Sequence, residues 1–153
     1  MSNNGMAQAH DELPTWASDS HQNFEEFAQE TNAPVQVLTG DPIALVPYVQ
    51  VYLSELPLSE FTQDDWVTLH TDLASFLAEL MIRNHAASWV VREAPNSPRG
   101  FRYVLAVDRP VAGPGVVDPF EVVASEFRSP PIEVARMIAT AELTAGVTRR
   151  YDQ

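Results

Sequence analysis

The chain has 153 residues, of which 45% are hydrophobic, and a formal net charge of −12. This length is typical of one domain that buries its own core. The sequence contains no cysteine and no lysine, so disulfides, thiolate nucleophiles, Schiff bases and the lysine of a phosphate-binding loop are excluded.

The first twenty residues are polar, with scattered acids and little periodicity. This composition predicts a flexible acidic leader over residues 1–20. The segment MSNNGMAQAHDELPTW has neither the basic region nor the apolar region of a secretory signal. No apolar run in the chain is long enough to cross a bilayer. We therefore expect a cytoplasmic protein that does not enter a membrane.

Two helices are predicted in the next part of the chain. Phe24 and Phe27 lie at helical spacing and indicate a short amphipathic helix. Asp41 is suited to cap a second helix, and Pro42 suits its first position. Pro47 should bend that helix or delay its start, because the proline ring clashes with a carbonyl one turn earlier.

The longest predicted helix covers residues 61–85. Thr62 followed three positions later by Asp65 resembles a capping box at its start. One continuous apolar stripe follows, as expected for a helix that faces a core. The stripe consists of Trp66, Leu69, Leu73, Phe76, Leu77, Leu80 and Met81.

Two strands are predicted at residues 88–94 and 101–108, joined by the turn formers PNSPRG. A hairpin alone is marginally stable, so one of its faces should pack on the long helix. The segment RPVAGPGVV that follows is predicted to be a loop. Asp118–Pro119 and Ser129–Pro130 are expected to start two short helices.

Together these elements predict an α+β fold with a single domain at residues 21–146. Its long central helix packs on a small antiparallel sheet, formed by the hairpin 88–94/101–108, with short helices on the flanks. Residues 147–153 are expected to be a frayed C-terminus.

Charge is distributed unevenly along the chain. Residues 1–82 carry thirteen acidic side chains and no basic ones, whereas residues 83–153 carry eight acidic side chains and nine arginines. A strongly negative first half argues against direct contact with nucleic acid, which needs clustered cations. It favours a protein partner with a basic surface, although solubility alone would also explain it.

The spacing of Asp65, Asp72 and Glu79 places three acids near one stripe of the long helix. This stripe is either an ordinary solvated face or a surface for a partner, and we take these residues as candidate partner-binding residues. Trp16, an isolated aromatic in the leader, is the fourth candidate, as an anchor to the body or to a partner. Glu79 and Arg83 are one turn apart, which suits a surface ion pair as well as a general base with its counter-charge.

Four arginines, Arg92, Arg99, Arg102 and Arg109, cluster on or beside the hairpin. They are candidates for binding an anion or for pairing with the acids of the first half. Pairing is favoured, because those acids need nearby counter-charge in a folded domain.

No motif of a known catalytic, metal or cofactor site occurs in the sequence. The four histidines lack the spacing of metal ligands, and there is neither G-x-S-x-G nor G-x-G-x-x-G. His70 flanks the apolar stripe, and we expect it to be packed or hydrogen-bonded. We therefore predict no catalytic residue, no metal site and no cofactor.

The segment LASFLAELMIR, followed by the strand SWVV and later by VVDPF, resembles a set of small uncharacterised bacterial α+β proteins. These carry a helix of the type L-x-x-Y-L-G-E-x-x-x-R, a strand that starts with tryptophan and a later V-x-P-F helix start. The similarity covers residues 24–143, with Phe76 in place of the usual tyrosine and Ala78 in place of the usual glycine. Some of these proteins are thought to be immunity-like, which implies binding to a toxin.

The sequence thus predicts a non-enzymatic, acidic protein-binding module, immunity-like or an accessory factor, that engages a basic partner surface. One alternative is a chaperone or adaptor for a secreted effector, which needs a dimer or an exposed apolar groove. The other is a small-ligand-binding protein or enzyme. It would require a deep pocket where Glu79, His70 and the hairpin arginines converge. The oligomeric state is left open.

Overall fold

The computed structural model describes residues 3–109 and 113–147. Within these residues the chain forms six α-helices and three β-strands. The helices are α1 (Asn3–Glu30), α2 (Val35–Leu38), α3 (Val46–Ser54), α4 (Gln63–His85), α5 (Pro119–Phe127) and α6 (Val134–Ala145). The strands are β1 (Ser88–Glu93), β2 (Phe101–Val107) and β3 (Gly115–Val117). The predicted α+β class is confirmed, and residues 148–153 of the expected frayed end lie outside the described residues.

The structure differs most from the sequence-based prediction in the N-terminal segment. The structure places residues 3–30 in one helix, so the expected flexible leader over residues 1–20 is wrong for its described part. Ala9 is fully buried, and Leu13 and Trp16 are partly buried against the core. Their spacing continues the helical period of Phe24 and Phe27, so α1 packs along its length.

The starts of α3 and α4 agree with the sequence. Asp41 accepts a hydrogen bond from the N–H of Ile43, and a 3₁₀ turn at Pro42–Leu45 precedes α3. Pro47 therefore delays the α-helix as expected. At α4, the Thr62 side chain accepts from the backbone N–H of Asp65 at 3.2 Å, and the capping box is complete.

The sheet has the order β1-β2-β3, and both pairs of strands are antiparallel. The predicted hairpin is confirmed, with Trp89 opposite Leu105 and Arg92 opposite Arg102. The third strand was missed, because residues 115–117 were expected to be loop. β3 pairs only with residues 105–107 of β2, so it leaves the first half of β2 without a strand on that side.

The core lies between α1, α4 and one face of the sheet. α4 is buried from Leu73 to Met81, and it packs on α1 and on α5. α1 also crosses β1 and β2, while α6 packs on β3. None of the helices that the structure describes combines the length and apolarity needed to cross a bilayer.

Candidate functional site

Asp65 and Asp72, two of the acids expected to face a partner, take different positions. Asp65 is exposed, and its side chain accepts from the backbone N–H of Thr62 at 2.9 Å as part of the α4 cap. Asp72 instead faces α1, where the amide of Asn23 donates to its Oδ1 at 3.1 Å. Burial raises the pKa of Asp72 to about 6, although the hydrogen bond from Asn23 acts in the opposite direction.

Glu79, the third acid, is buried against α1 and is only 7% exposed. The Nδ1 atom of His21 lies 2.9 Å from its Oε1. The hydrogen bond with Glu79 raises the pKa of His21 above its ordinary value of 6.5, against the effect of desolvation. Because α1 covers Asp72 and Glu79, the three acids do not form one exposed stripe, and the predicted partner-facing stripe is corrected on this point.

The exposed negative charge lies instead on the side of α1 that points away from the core. Asp11, Asp19, Glu25, Glu26 and Glu30 are exposed there, and we call these five residues the outer face of α1. No lysine or arginine occurs anywhere in residues 1–82 to offset them. The outer face of α1 is therefore a strongly negative surface.

Trp16, a candidate partner anchor, packs between α1 and the sheet. Its ring stacks on Tyr103 with centroids 4.7 Å apart and meets Trp89 edge-on at 5.6 Å. The centroid of Phe120 in α5 is 5.9 Å away. The indole Nε1 is buried and has no hydrogen-bond partner among the residues described. Of the two anchoring roles that the sequence left open, the position of Trp16 fits the anchor that holds α1 to the body.

A cavity of about 460 Å³ opens where α1, β2 and α5 meet. Its aromatic walls are Trp16, Phe101, Tyr103 and Phe120, and we call it the aromatic pocket. Small-molecule sites are typically concave, mostly apolar and of this size, with a few polar groups that orient the ligand.

His70 of α4 lines the aromatic pocket and is held by the backbone of α5. Its Nε2 lies 2.8 Å from the carbonyl oxygen of Phe120. A carbonyl oxygen only accepts, so Nε2 carries a proton and donates it. The ring also contacts Phe127, with centroids 5.6 Å apart. The expectation that His70 is packed or hydrogen-bonded is confirmed, since it is both.

Arg99 and Arg102 line the same pocket, and each has an acidic partner. Arg99 donates from Nη2 to Glu12 at 2.9 Å, which joins the hairpin to α1. Nη1 of Arg102 lies 3.3 Å from Asp118 and 3.5 Å from Glu121. Arg99 thus pairs with an acid of the first half of the chain, as expected, whereas Arg102 pairs with acids of the second half.

A second cavity of about 650 Å³ lies beside Arg102. Arg92 is the register partner of Arg102 on β1, so both side chains lie on one face of the sheet. Arg128, at the C-terminal end of α5, lines the same cavity, which we call the arginine groove. Arg92 and Arg128 are exposed, and neither pairs with an acid within the described part of the chain.

Arg109 does not belong to either cavity. Its Nε donates to the carbonyl oxygen of Gly113 at 2.9 Å, and its Nη2 donates to that of Pro114 at 3.4 Å. These bonds hold the chain just before β3. Arg109 therefore helps to position the loop before β3.

The structure brings together His70, Arg99 and Arg102, as the small-ligand hypothesis required, but Glu79 lies apart from them on the α1–α4 interface. Phe120 and Arg128 were not predicted to be site residues. Phe120 lies in α5 and Arg128 is its C-cap residue, and no local pattern indicates that α5 folds back beside β2.

The chain matches no protein-family model, no curated protein and no solved structure. Within residues 3–109 and 113–147, no group of three or more histidine or acidic side chains is arranged to hold a metal ion. The surfaces that could carry a function are the outer face of α1, the aromatic pocket and the arginine groove.

Proposed function

We propose that this protein is a non-enzymatic binding module whose outer face of α1 engages a basic surface of another protein. The observation that carries this proposal is the set of five exposed acids on one helix, in a half of the chain without any basic residue. Such a surface repels nucleic acid and other acidic partners and attracts basic ones.

The physical role of this charge is to speed association. Complementary fields raise the rate of encounter between proteins, and salt screens them over about 8 to 10 Å at physiological ionic strength. Close packing at the centre of the interface then determines the lifetime of the complex. Binding should therefore weaken as salt rises, mainly through a slower association rate.

An immunity-like role, in which the module blocks a basic toxin, agrees with the sequence resemblance. A chaperone or adaptor for an effector needs a continuous apolar groove or a dimer. The large apolar side chains that are exposed in the described residues are Val35, Val51, Val67 and Leu143, and they belong to four different helices. Such scattered residues do not form a groove, so we favour the inhibitor over the chaperone.

The test is affinity capture from a lysate of the native host at low and at moderate salt, with mass spectrometry of the retained proteins. The test variant carries Glu25→Gln, Glu26→Gln and Glu30→Gln on the outer face of α1. The matched control removes three exposed charges from the second half of the chain, with Glu93→Gln, Asp108→Asn and Glu133→Gln.

We expect one basic protein to be retained in stoichiometric amount by the wild type and by the control. The same protein should be lost at moderate salt and with the α1 variant. Equal retention by all three proteins, or retention that does not depend on salt, would contradict an electrostatic role for the outer face of α1. Absence of any stoichiometric basic partner at low salt would contradict the proposed function itself.

A further inference from the structure

We propose that the aromatic pocket and the arginine groove form one site for a small molecule that combines an aromatic ring with an oxyanion group. This site is separate from the outer face of α1, and its ligand is a carboxylate or a phosphate rather than a protein. The inference goes beyond the proposed function and does not depend on it.

The two cavities are neighbours that share lining residues. Arg102, Asp118 and Glu121 line both of them, so the ion pairs of Arg102 form a shared wall between β2 and α5. β3 pairs only with the second half of β2, and this wall lies beside the first half, where no strand covers the edge. A ligand that reaches across the wall would contact both cavities.

The aromatic pocket suits a planar ring. Trp16 and Phe120 belong to different helices, and Phe101 and Tyr103 lie on β2, so rings border the cavity from three elements. Arg99 places its guanidinium carbon 4.6 Å from the centroid of Phe101, where cation–π attraction holds it at the rim. Aromatic walls of this kind favour ligands that stack or make edge contacts.

The arginine groove suits an anion. Arg92 and Arg102 are direct cross-strand partners, and like charges at such positions repel each other. Asp118 and Glu121 compensate Arg102, whereas Arg92 and Arg128 have no acidic partner among the residues described. Glu93, Asp118 and Glu121 also line this cavity, so its three arginines and three acids balance in number, but Arg92 and Arg128 form no ion pair in the described chain and their guanidinium groups are available to a ligand. An oxyanion there would accept charge-assisted hydrogen bonds and relieve the repulsion.

The experiment is calorimetric titration of the full chain with four probes: naphthyl phosphate, naphthoate, the neutral naphthylmethanol and inorganic phosphate. If ring and anion are recognised together, at least one of the two ring-bearing oxyanions should bind at least about tenfold more tightly than both the neutral compound and inorganic phosphate. The tighter of the two oxyanions identifies phosphate or carboxylate as the natural group. If neither oxyanion binds better than both fragments, the proposal is overturned.

Three variants test whether the probes bind at this site. Ala124, which is half-buried in the wall of the aromatic pocket, becomes larger in Ala124→Leu and should weaken every ring-bearing probe. The double variant Arg92→Gln, Arg128→Gln should weaken only the two oxyanions, by at least about tenfold. Arg83→Gln, an exposed arginine far from both cavities in the lining of another, is the matched control and should change nothing.

The arginine variants keep the test decisive if Ala124→Leu fails to fold, because Arg92 and Arg128 are exposed and form no ion pair in the described chain. Oxyanion binding that is unchanged in the double arginine variant would place the anion elsewhere and refute the combined site. Equal losses in the double variant and in Arg83→Gln would show a general charge effect and would also refute it.

Discussion

His21 of α1 and Glu79 of α4 form a hydrogen bond of 2.9 Å across the interface of the two longest helices. The carboxylate is buried, whereas the imidazole is about half exposed. Glu79 thus has a partner in the fold itself, which explains how a charged side chain is accommodated in the most buried part of α4. The pair joins α1 to α4 at a defined position along both helices.

Replacing Glu79 with glutamine should lower the pKa of His21 towards its ordinary value of 6.5. The hydrogen bond with Glu79 is the largest cause of the raised pKa of His21, and Glu25 contributes less. The measurement is an NMR titration of the imidazole protons of His21. Glu25→Gln is the matched control, because Glu25 lies 3.6 Å from the other ring nitrogen and should give a smaller decrease. A larger effect from Glu25→Gln would contradict the assignment.

The sign of the pH dependence follows from the same shift. A histidine whose folded pKa is raised stabilises the fold fully below its unfolded pKa. That stabilisation is lost as the pH rises from about 6.5 through the folded pKa. His21→Ala should therefore reduce the decline in stability above about pH 6.5, measured by urea unfolding at several pH values. A decline as steep in the variant as in the wild type would show that another group is responsible.

Asp72→Asn should stabilise the protein at pH 8 and have much less effect near pH 4. Burial raises the pKa of Asp72 from its ordinary 3.8 to about 6, so the folded state holds a proton there that the unfolded state releases. Stability therefore falls as the pH rises between these values, by at most about 3 kcal/mol, and then stays level. Asparagine keeps the acceptor for Asn23 and removes the cost of ionisation.

Urea unfolding of the wild type and Asp72→Asn at pH 4, 5, 6 and 8 checks this expectation. The difference in unfolding free energy should grow up to about pH 6 and then remain constant. Asp65→Asn is a useful comparison, because Asp65 is exposed and acts in the cap of α4. Asp65→Asn removes the charge of this cap and should destabilise the protein at pH 8, by about 0.5 to 1 kcal/mol. A destabilising effect of Asp72→Asn at pH 8 would refute the role of burial.

The two longest helices show what the sequence could and could not predict. α4 carries its own signals, with the Thr62–Asp65 capping box at its start and a continuous apolar stripe after it. The apolar stripe of α1 is weaker: Ala9, Leu13 and Trp16 keep the helical spacing of Phe24 and Phe27, but polar residues separate them and Pro14 lies among them. Its helical state depends on contacts with the sheet, which no local pattern contains.

The residues of the candidate site likewise include some that the sequence could predict and some that it could not. Side chains alternate at the start of β2, where Phe101 and Tyr103 are buried and Arg102 between them is exposed. The pairing of β3 and the return of α5 beside β2 are contacts between distant parts of the chain. A strand of three residues between glycine and proline turns has too little periodicity to be recognised. The site residues that α5 contributes could therefore be identified only from the structure.

Gly115→Ala should destabilise the protein by about 2 to 4 kcal/mol, because a Cβ atom there would overlap the backbone carbonyl of Ala145 in α6. The atoms in the way belong to the backbone of Ala145, so no flexible side chain can move aside to make room for the Cβ atom. Gly113→Ala is the control: its site is open, and only its φ of +74° opposes a side chain, at a cost of about 1 kcal/mol. Thermal unfolding compares the two. A smaller loss for Gly115→Ala than for Gly113→Ala would show that β3 and α6 separate easily.

Arg136→Met should destabilise the protein more than Glu126→Gln. Glu126 is only 5% exposed and accepts from Arg136 Nη2 at 2.6 Å and from the backbone N–H of Glu133 at 2.9 Å. Removing the arginine leaves a buried carboxylate without its counter-charge, which is the larger of the two losses. Removing the carboxylate leaves an arginine that water still reaches, at a cost of about 1 to 2 kcal/mol.

The double variant of Glu126 and Arg136 distinguishes the loss of their ion pair from a simple loss of packing. Glu126→Gln with Arg136→Met should be more stable than Arg136→Met alone, because no buried charge then lacks a partner. Chemical unfolding at pH 7 gives all four free energies for the cycle. Additive losses in the double variant would mean that the two side chains act independently, in contradiction to the contacts between them.

Trp16→Ala and Trp16→Phe should have very different effects on α1. The alanine variant loses the stack on Tyr103 and the edge contact with Trp89, at a cost of about 3 kcal/mol. Phenylalanine keeps a ring and removes the buried indole N–H that has no partner in the described chain, so its cost should be about 1 kcal/mol or less.

Hydrogen exchange shows which part of α1 is destabilised when Trp16 is replaced by alanine. In the alanine variant, exchange should rise more around Ala9 and Leu13 than around Phe24 and Phe27, which are buried independently of Trp16. A uniform rise along α1 would show that the whole helix leaves the core as one unit, and that Trp16 does not hold its N-terminal half separately.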